Sequence, residues 1–229
     1  MIKSILTILF VCLFSCANKP LGPPKNPHLS VGRLETYKHI KVEGQEDILI
    51  DMGNGTGFAI SPHEIMTADH ICEALNEKDT SIYLIYFDGK DLIRVEEEMI
   101  PIARDAKKDL CILFLYNNPL RWIDFSKDKP NINDTVYTYG FPRGIAFTLT
   151  SGFYGYNINI LYKDLSGKDK TKVATSLSLP AYYGNSGGPL FNNRGEFVGV
   201  LIAIYKPYFI LSYTPTYEDI KTFLQERYK

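Results

Sequence analysis

The sequence has no excess of charge of either sign and no long hydrophobic run. Its 229 residues carry 25 basic and 26 acidic side chains, which gives a formal net charge of -1. This balance excludes the broad basic surface that nucleic-acid binding uses, so we expect no nucleic-acid partner. The apolar run at residues 5–14 is too short to cross a bilayer as a stable helix.

Patterns typical of metal and cofactor sites are also missing. The histidine, cysteine, aspartate and glutamate residues do not show the spacing of a zinc or calcium site, and no glycine-rich phosphate loop is present. We therefore expect a protein without a cofactor or a metal. Apolar residues make up 45% of the chain, which is enough to build a full hydrophobic core.

The N-terminus has the features of a secretory signal. Lys3 precedes the apolar run, which ends in the tetrapeptide Leu13-Phe14-Ser15-Cys16. This tetrapeptide resembles the bacterial lipobox, in which a small residue precedes a cysteine that is acylated and becomes the new N-terminus. We expect residues 1–15 to be a lipoprotein signal peptide and Cys16 to be the lipidation site. The alternative is a plain signal peptide with an incidental Cys16.

Residues 16–30 are rich in proline, lysine, asparagine and glycine. Such a composition stays extended and solvated, so this segment is expected to be a tether or simply a disordered terminus. The protein would then be exported across the cytoplasmic membrane and held by its lipid on the periplasmic or cell-surface side. Ala17 after the cysteine favours the outer membrane, because enterobacterial retention at the inner membrane uses an aspartate there.

The body at residues 31–229 is predicted to be all-β, because short β-rich runs alternate with turn signals. The expected strands are residues 57–61, 65–67, 81–87, 92–102, 110–116, 135–140, 146–156 and 173–179, followed by a hairpin of residues 189–191 and 196–204. One helix is expected at the end. Thr216 and Asp219 resemble a capping box, and Ile220, Phe223 and Leu224 share one helical face.

One glycine-rich turn carries the strongest chemical signal. In Gly184-Asn185-Ser186-Gly187-Gly188-Pro189, the glycines allow the backbone N–H groups of Gly184 and Ser186 to point to one spot beside the serine hydroxyl. Taken alone, the same residues could form a flexible turn. The rest of the chain decides between these interpretations.

Two other segments complete a pattern. Residues 65–72 (IMTADHIC) place His70 just after a predicted strand and follow the strand sequence GTGFAI at residues 55–60. The segment KKDLCIL places Asp109 at the start of a hydrophobic strand. Asp105, the other aspartate that could accompany this histidine and serine, lies in a charged stretch. The other histidines, His28, His39 and His63, lack such a context. With Ser186, these motifs resemble the chymotrypsin-like serine peptidases, and the chain order His70, Asp109, Ser186 is that of the same class.

The resemblance implies two six-stranded antiparallel β-barrels, a C-terminal helix, and a catalytic triad in the cleft between the barrels. It implies that His70 is the general base, that Asp109 orients it, and that Ser186 is the nucleophile. The amides of Gly184 and Ser186 would form the oxyanion hole. The implied activity is that of a serine endopeptidase acting on a protein or peptide substrate. The alternative is a catalytically silent lipoprotein that keeps the scaffold to bind a host or envelope protein.

Departures from the family pattern refine these expectations. Asn185 stands where digestive trypsin-like enzymes have the aspartate that pairs with a new N-terminal amine, so the bacterial branch of DegP-like proteases and glutamyl endopeptidases is the better match. By the same resemblance, the substrate contacts fall at six uncharged positions: Pro180, Ala181, Tyr183, Leu201, Ala203 and Ile204. These positions favour a small or medium apolar residue before the scissile bond. Cys72 and Cys111 form either a disulfide or two buried thiols.

Overall fold

A computed structural model describes residues 27–42, 44, 46–87, 90–163, 168–205 and 209–227. The expected signal peptide, Cys16 and most of the expected tether lie outside these residues. Within them, no helix combines the length and the apolar character that crossing a membrane demands. The described residues form two antiparallel β-sheets.

The first sheet closes on itself. Its strands are β1 (Val31–Ile40), β2 (Ile48–Ala59), β3 (Glu64–Thr67), β4 (Thr80–Phe87), β5 (Leu92–Arg94), β6 (Ile100–Asp105) and β7 (Leu110–Phe114), in the spatial order β5-β4-β1-β2-β3-β7-β6. Between β5 and β6, the amides of Val95 and Met99 donate to the carbonyls of Leu84 and Ile82 on β4. One stretch of chain therefore borders both β4 and β7, which closes the barrel.

The second sheet closes in the same way. Its strands are β8 (Thr135–Gly140), β9 (Thr148–Lys163), β10 (Asp169–Ser178), β11 (Pro189–Phe191), β12 (Phe197–Val200), β13 (Ala203–Ile204) and β14 (Ser212–Thr214), in the order β12-β11-β8-β9-β10-β14-β13. Consecutive strands β12 and β13 pair with β11 and β14 at opposite ends of the sheet. In each sheet, two consecutive short strands (β5 and β6, or β12 and β13) share one position of the barrel, so seven described strands fill six positions. This confirms the predicted fold class of two antiparallel barrels.

A shared hydrophobic core joins the two barrels. Phe58 and Met66 of the first barrel belong to the same buried cluster as Phe191, Phe197 and Ile202 of the second. The rings of Phe58 and Phe197 pack edge to face with their centroids 5.0 Å apart, a geometry that aromatic pairs favour. The barrels are therefore packed face to face, and residues at their junction have fixed relative positions.

The C-terminal helix forms as predicted, as α2 (Tyr217–Glu226). The Thr216 hydroxyl accepts a hydrogen bond from the Asp219 amide at 3.1 Å, as an N-cap should. Ile220 and Phe223 are buried against the shared core, and Leu224 packs beside them.

Several strand predictions differ from the structure. Strands β1 and β14 were not expected, and the predicted strand at residues 196–204 is divided into β12 and β13. In β1, the charged side chains of Arg33 and Glu35 alternate with buried residues and hide the hydrophobic pattern. The predicted run at residues 92–102 is divided into β5 and β6, because the segment between them turns along β4 instead of continuing straight.

Candidate active site

His70 and Asp109 meet at the ends of two paired strands. His70 lies in the short helix α1 (Asp69–Cys72), just after β3, and Asp109 immediately precedes β7. Strands β3 and β7 pair with Thr67 opposite Cys111. The His70 Nδ1 atom lies 3.0 Å from Asp109 Oδ1 and 3.1 Å from Oδ2, and the His70 amide donates to Oδ1 at 3.0 Å.

The Asp109 carboxyl is held in its ionised form. Burial raises the pKa of this carboxyl, but the hydrogen bond and charge of His70, the charge of Lys172 and the His70 amide outweigh burial and lower the pKa below its ordinary value. An ionised carboxylate only accepts hydrogen bonds, so Nδ1 of His70 carries the proton that faces it. The lone pair is then on Nε2, and this side chain is 40% exposed in an open cleft.

A disulfide connects the two elements that carry His70 and Asp109. Cys72 and Cys111, each two residues beyond one member of the pair, are bonded to each other. Both cysteines are fully buried. The alternative of two buried thiols is therefore set aside, and the bond ties the helix of His70 to the strand that follows Asp109.

Asp69, the residue before His70, anchors the same helix. Its carboxylate is buried and receives two hydrogen bonds from Arg104 on β6, from Nε at 2.6 Å and from Nη2 at 3.2 Å. A two-point pairing of this kind fixes direction as well as distance. Helix α1 is therefore held to β6 and, through the disulfide, to β7.

The turn that carries Ser186 is bound to the first barrel by Thr56 of β2. The Thr56 amide donates to the Ser186 carbonyl at 2.8 Å, and the Thr56 hydroxyl donates to the Gly184 carbonyl at 2.7 Å. Gly184 and Gly187 have φ values of +91° and +84°, which only glycine adopts at little cost. A Cβ atom at Gly187 would lie 2.0 Å from the Thr56 carbonyl oxygen, so this close approach also requires glycine.

The amides of Gly184 and Ser186 both lack an acceptor among the described residues. The carbonyl of Tyr183 accepts from the Arg143 amide at 2.7 Å, and the carbonyl of Asn185 accepts from the Gly188 amide at 3.0 Å. In a trans peptide, the N–H points opposite to the carbonyl of the same unit. Each of these two N–H groups therefore points opposite to a carbonyl that is already hydrogen-bonded within the protein.

The turn of Ser186 and the helix of His70 both approach Gly55 of β2. A Cβ atom on Gly55 would lie 3.3 Å from the Ser186 carbonyl oxygen and 2.7 Å from Cδ1 of Ile71, the neighbour of His70. Gly55 therefore lies between the serine turn and the histidine helix. No hydrogen bond of the Ser186 hydroxyl is found within the described part of the chain, and such bonds often tighten only when a substrate is present.

Asn185 lies in the interior beside the same turn. Its side chain is 4% exposed, and its Oδ1 atom has no hydrogen-bond partner in the described residues. A Cβ atom on Gly140 would lie 2.8 Å from this oxygen, so the amide occupies space that the glycine leaves free. The position before Ser186 is thus neutral, buried and free of an ion pair.

A cleft of about 700 Å³ opens beside His70 and Asp109. One wall is helix α1 and the loop before β7. The opposite wall is the hairpin of β9 and β10, and its lining residues were not identified from the sequence: Ile160, Tyr162, Lys170, Thr171 and Lys172. The sequence motifs do not indicate these residues, because they belong to the second barrel and approach the His70–Asp109 pair of the first barrel only in the folded protein. No group of three or more potential metal ligands occurs among residues that the structure describes.

The predicted substrate contacts fall in three environments. Pro180 and Tyr183 are exposed, and Ala203 lines the cleft. Ile204 is half-buried against the core of the second barrel. The structure places Ala181 and Leu201 inside this core, at 5% and 1% exposure. Their side chains therefore support the wall from within and are not on an open surface.

Comparison with known proteins gives a consistent result. A family model described as "Trypsin-like peptidase domain" matches residues 55–200. The serine protease Rv3671c of Mycobacterium tuberculosis (strain ATCC 25618 / H37Rv) is 27% identical over 149 residues, which are 64% of this chain and 35% of that protein. A "Probable periplasmic serine endoprotease DegP-like" of Hahella chejuensis is 28% identical over 154 residues, 66% of this chain and 30% of that protein. The chain spans about a third of the length of these relatives.

Solved structures share the fold. The crystal structure of the active form of the Rv3671c protease from M. tuberculosis has a TM-score of 0.68 at 21% identity, over 87% of this chain and 81% of that one. An inactive form of the same protease has a TM-score of 0.64 at 20% identity, over 91% of this chain and 98% of that one. At this level of identity, the likeness shows the fold.

Proposed function

The chain belongs to the family of trypsin-like peptidase domains, and from this premise we propose that it is a serine endopeptidase with the triad Ser186, His70 and Asp109. The observation that carries the proposal is the Asp109 carboxylate, which accepts from Nδ1 of His70 and leaves Nε2 as a base. Ser186 lies on a glycine-flanked turn that Thr56 of β2 holds against the first barrel. These are the parts that acyl transfer through serine needs.

The proposed reaction proceeds in two halves. His70 Nε2 takes the proton of Ser186 as Oγ bonds to the scissile carbonyl carbon, and the Gly184 and Ser186 amides bind the resulting oxyanion. His70 then gives the proton to the leaving amine as the peptide bond breaks. Water, deprotonated by His70, cleaves the acyl-enzyme and restores Ser186. Asp109 stabilises the imidazolium in both halves.

The proposed cleavage preference is a small or medium apolar residue before the scissile bond. Residues 180–183 and 201–204 contain no charged side chain, so these segments themselves offer no ion-pair partner to a charged substrate side chain. Burial of a charge without a partner is costly. Tyr183 is 47% exposed and packs edge to face on Tyr182, which places an aromatic surface next to the oxyanion turn.

The proposed location is the cell envelope, with Cys16 acylated after removal of residues 1–15. A DegP-like relative is described as periplasmic, and the N-terminal sequence has the order of a lipoprotein signal. Metabolic labelling with a palmitate analogue tests this proposal. Cys16→Ser should abolish labelling and Cys12→Ser, the matched control within the signal, should retain it. Equal labelling of the two variants would reject Cys16.

A fluorophosphonate probe tests the proposed activity. Wild-type protein and Ser151→Ala, which changes an exposed serine on β9, should be labelled and should cleave a peptide substrate. Ser186→Ala should do neither while it keeps the same circular dichroism, because loss of a serine nucleophile costs about a million-fold in kcat. Absence of labelling in folded wild-type protein would instead favour the silent binding protein.

A further inference from the structure

Lys172 of the second barrel reaches the carboxylate that orients His70. Its Nζ atom lies 3.4 Å from Asp109 Oδ2, and the two side chains are only 15% and 14% exposed. The ammonium group also lies 5.2 Å from the centre of the Tyr162 ring on the neighbouring strand β9. Two independent contacts therefore hold the lysine in place, one of them a cation–π contact.

The two oxygens of Asp109 have different partners. Oδ1 receives the His70 amide and lies nearest to Nδ1, whereas Oδ2 lies near Nδ1 and Lys172. Apart from His70, Lys172 is the one basic side chain that pairs with this carboxylate within the described parts of the chain. Nearby Ile202 lines the cleft with an apolar side chain.

We propose that Lys172 is a positioning residue for the Asp109–His70 pair and that its charge lets His70 act as a base at lower pH than Asp109 alone would allow. This inference rests on the proposed function. It assigns a role to a residue that lies outside every motif, on a strand of the opposite barrel.

The direction of the effect follows from charge. Asp109 attracts a proton to His70, because the negative charge stabilises an imidazolium. Lys172 neutralises part of that attraction and repels the imidazolium directly. With Lys172 present, His70 stays unprotonated, and so able to accept the Ser186 proton, further into the acidic range.

Other charged groups facing the cleft do not replace Lys172. The other charged residues that line the cleft are Asp69 and Glu73 from the histidine segment, Lys107 from the loop before β7, and Lys170 from the hairpin, which also contributes the titratable side chain of Tyr162. Arg104 of β6 lies behind them and interacts with Asp69 and Glu73. Asp69 is already paired with Arg104. None of these groups is an ion-pair or hydrogen-bond partner of Asp109.

The test is the pH dependence of kcat/KM in three variants. In Lys172→Met, the pH at which kcat/KM falls on the acidic side of the profile should be higher by about one unit, as expected when a positive charge is removed near the His70 imidazolium. At a pH on this acidic limb, the rate relative to the plateau then falls about tenfold. Lys172→Arg keeps the charge, so its kcat/KM should fall at the same acidic pH as that of the wild type. Lys108→Met is the matched control, since Lys108 adjoins Asp109 in sequence but pairs with Asp105 at 3.3 Å.

An unchanged acidic limb in Lys172→Met would overturn the proposal, as would an equal shift in Lys108→Met. If Lys172→Met does not fold, Lys172→Gln removes the charge while keeping a polar side chain and should show the same shift. A nuclear magnetic resonance titration of the His70 ring separates this inference from the proposed function. A higher titration midpoint in Lys172→Met supports the role of Lys172 even if the wild type lacks peptidase activity, and an unchanged midpoint rejects it.

Discussion

The hydroxyl of Thr56 donates a 2.7 Å hydrogen bond to the carbonyl oxygen of Gly184, 128 positions later in the chain and in the other barrel. The same hydroxyl accepts from the Phe141 amide at 3.3 Å. One buried side chain thus fixes the carbonyl side of the turn from which the proposed oxyanion donors project.

Thr56→Val should lower kcat by about tenfold or more, because the Gly184 carbonyl loses its support and the turn that joins the Gly184 and Ser186 amides is no longer held in one conformation. The free energy of unfolding should fall by about 1–2 kcal/mol. Thr36→Val is the matched control, since Thr36 is also buried and donates to the Gly53 carbonyl at 3.0 Å, away from the site. It should lose similar stability and keep kcat. Equal kcat in the two variants would contradict this role of Thr56.

Asp109→Asn should reduce kcat by about four orders of magnitude, because an amide can donate to Nδ1 and then places the proton on the wrong ring nitrogen. Steady-state kinetics on a peptide substrate measures this loss. Asp105→Asn is the comparison, since Asp105 accepts from the amides of Lys107 and Lys108 at 3.0 Å in a turn and contacts neither His70 nor Ser186. A comparable loss in Asp105→Asn would remove the distinction between the two carboxylates.

The lowered pKa of Asp109 predicts a stability effect in acid. A carboxyl with a depressed folded-state pKa stabilises the protein above its unfolded-state pKa of about 4, and this contribution is lost as pH falls through the folded value. The stability difference between wild type and Asp109→Asn should therefore be present at about pH 4 and should shrink as the pH falls further. Urea unfolding at and below about pH 4 measures it, and a difference that does not shrink there would contradict the assignment of an ionised carboxylate.

Removing the disulfide should destabilise the protein by about 4 kcal/mol in the chain-entropy description, given a sequence separation of 39 residues. The double variant Cys72→Ala and Cys111→Ala should show this loss in urea unfolding. A reducing agent should destabilise the wild type towards the same value and leave the double variant unchanged. Insensitivity of the wild type to complete reduction would show that the bond contributes little.

Cleavage of a peptide library should show apolar residues before the scissile bond and few lysine, arginine, aspartate or glutamate residues there. The physical reason is the absence of a compensating charge at residues 180–183 and 201–204. The control is the Ser186→Ala protein, which reports background cleavage by contaminants. A strong preference for a charged residue would show that another segment forms the specificity pocket.

The sequence was informative where chemistry demands particular residues in a particular order. The glycines around Ser186 and the motif around His70 led to the barrel fold that the structure confirms, and the start of a hydrophobic strand distinguished Asp109 from Asp105. The capping pair Thr216 and Asp219 located the last helix, because a cap is a local interaction.

What the sequence could not provide are contacts between distant strands. Lys172 meets Asp109 because β10 of one barrel faces the first barrel across the cleft, and nothing in the residues around Lys172 indicates this pairing. Strand β1 was missed for a related reason, since its outward charges obscure an alternation that only its neighbours β2 and β4 reveal. Long-range pairing is a property of the whole fold, and short patterns do not encode it.

The attachment of the Ser186 turn to Thr56 also bears on the order in which the chain is made. The proposed base and its aspartate are both present once residue 114 has emerged, but the turn of Ser186 is made only after residue 188, roughly ten seconds later at usual rates of synthesis. The turn then docks on β2, which was made earlier. A chain interrupted between these two positions therefore carries the proposed base without the proposed nucleophile.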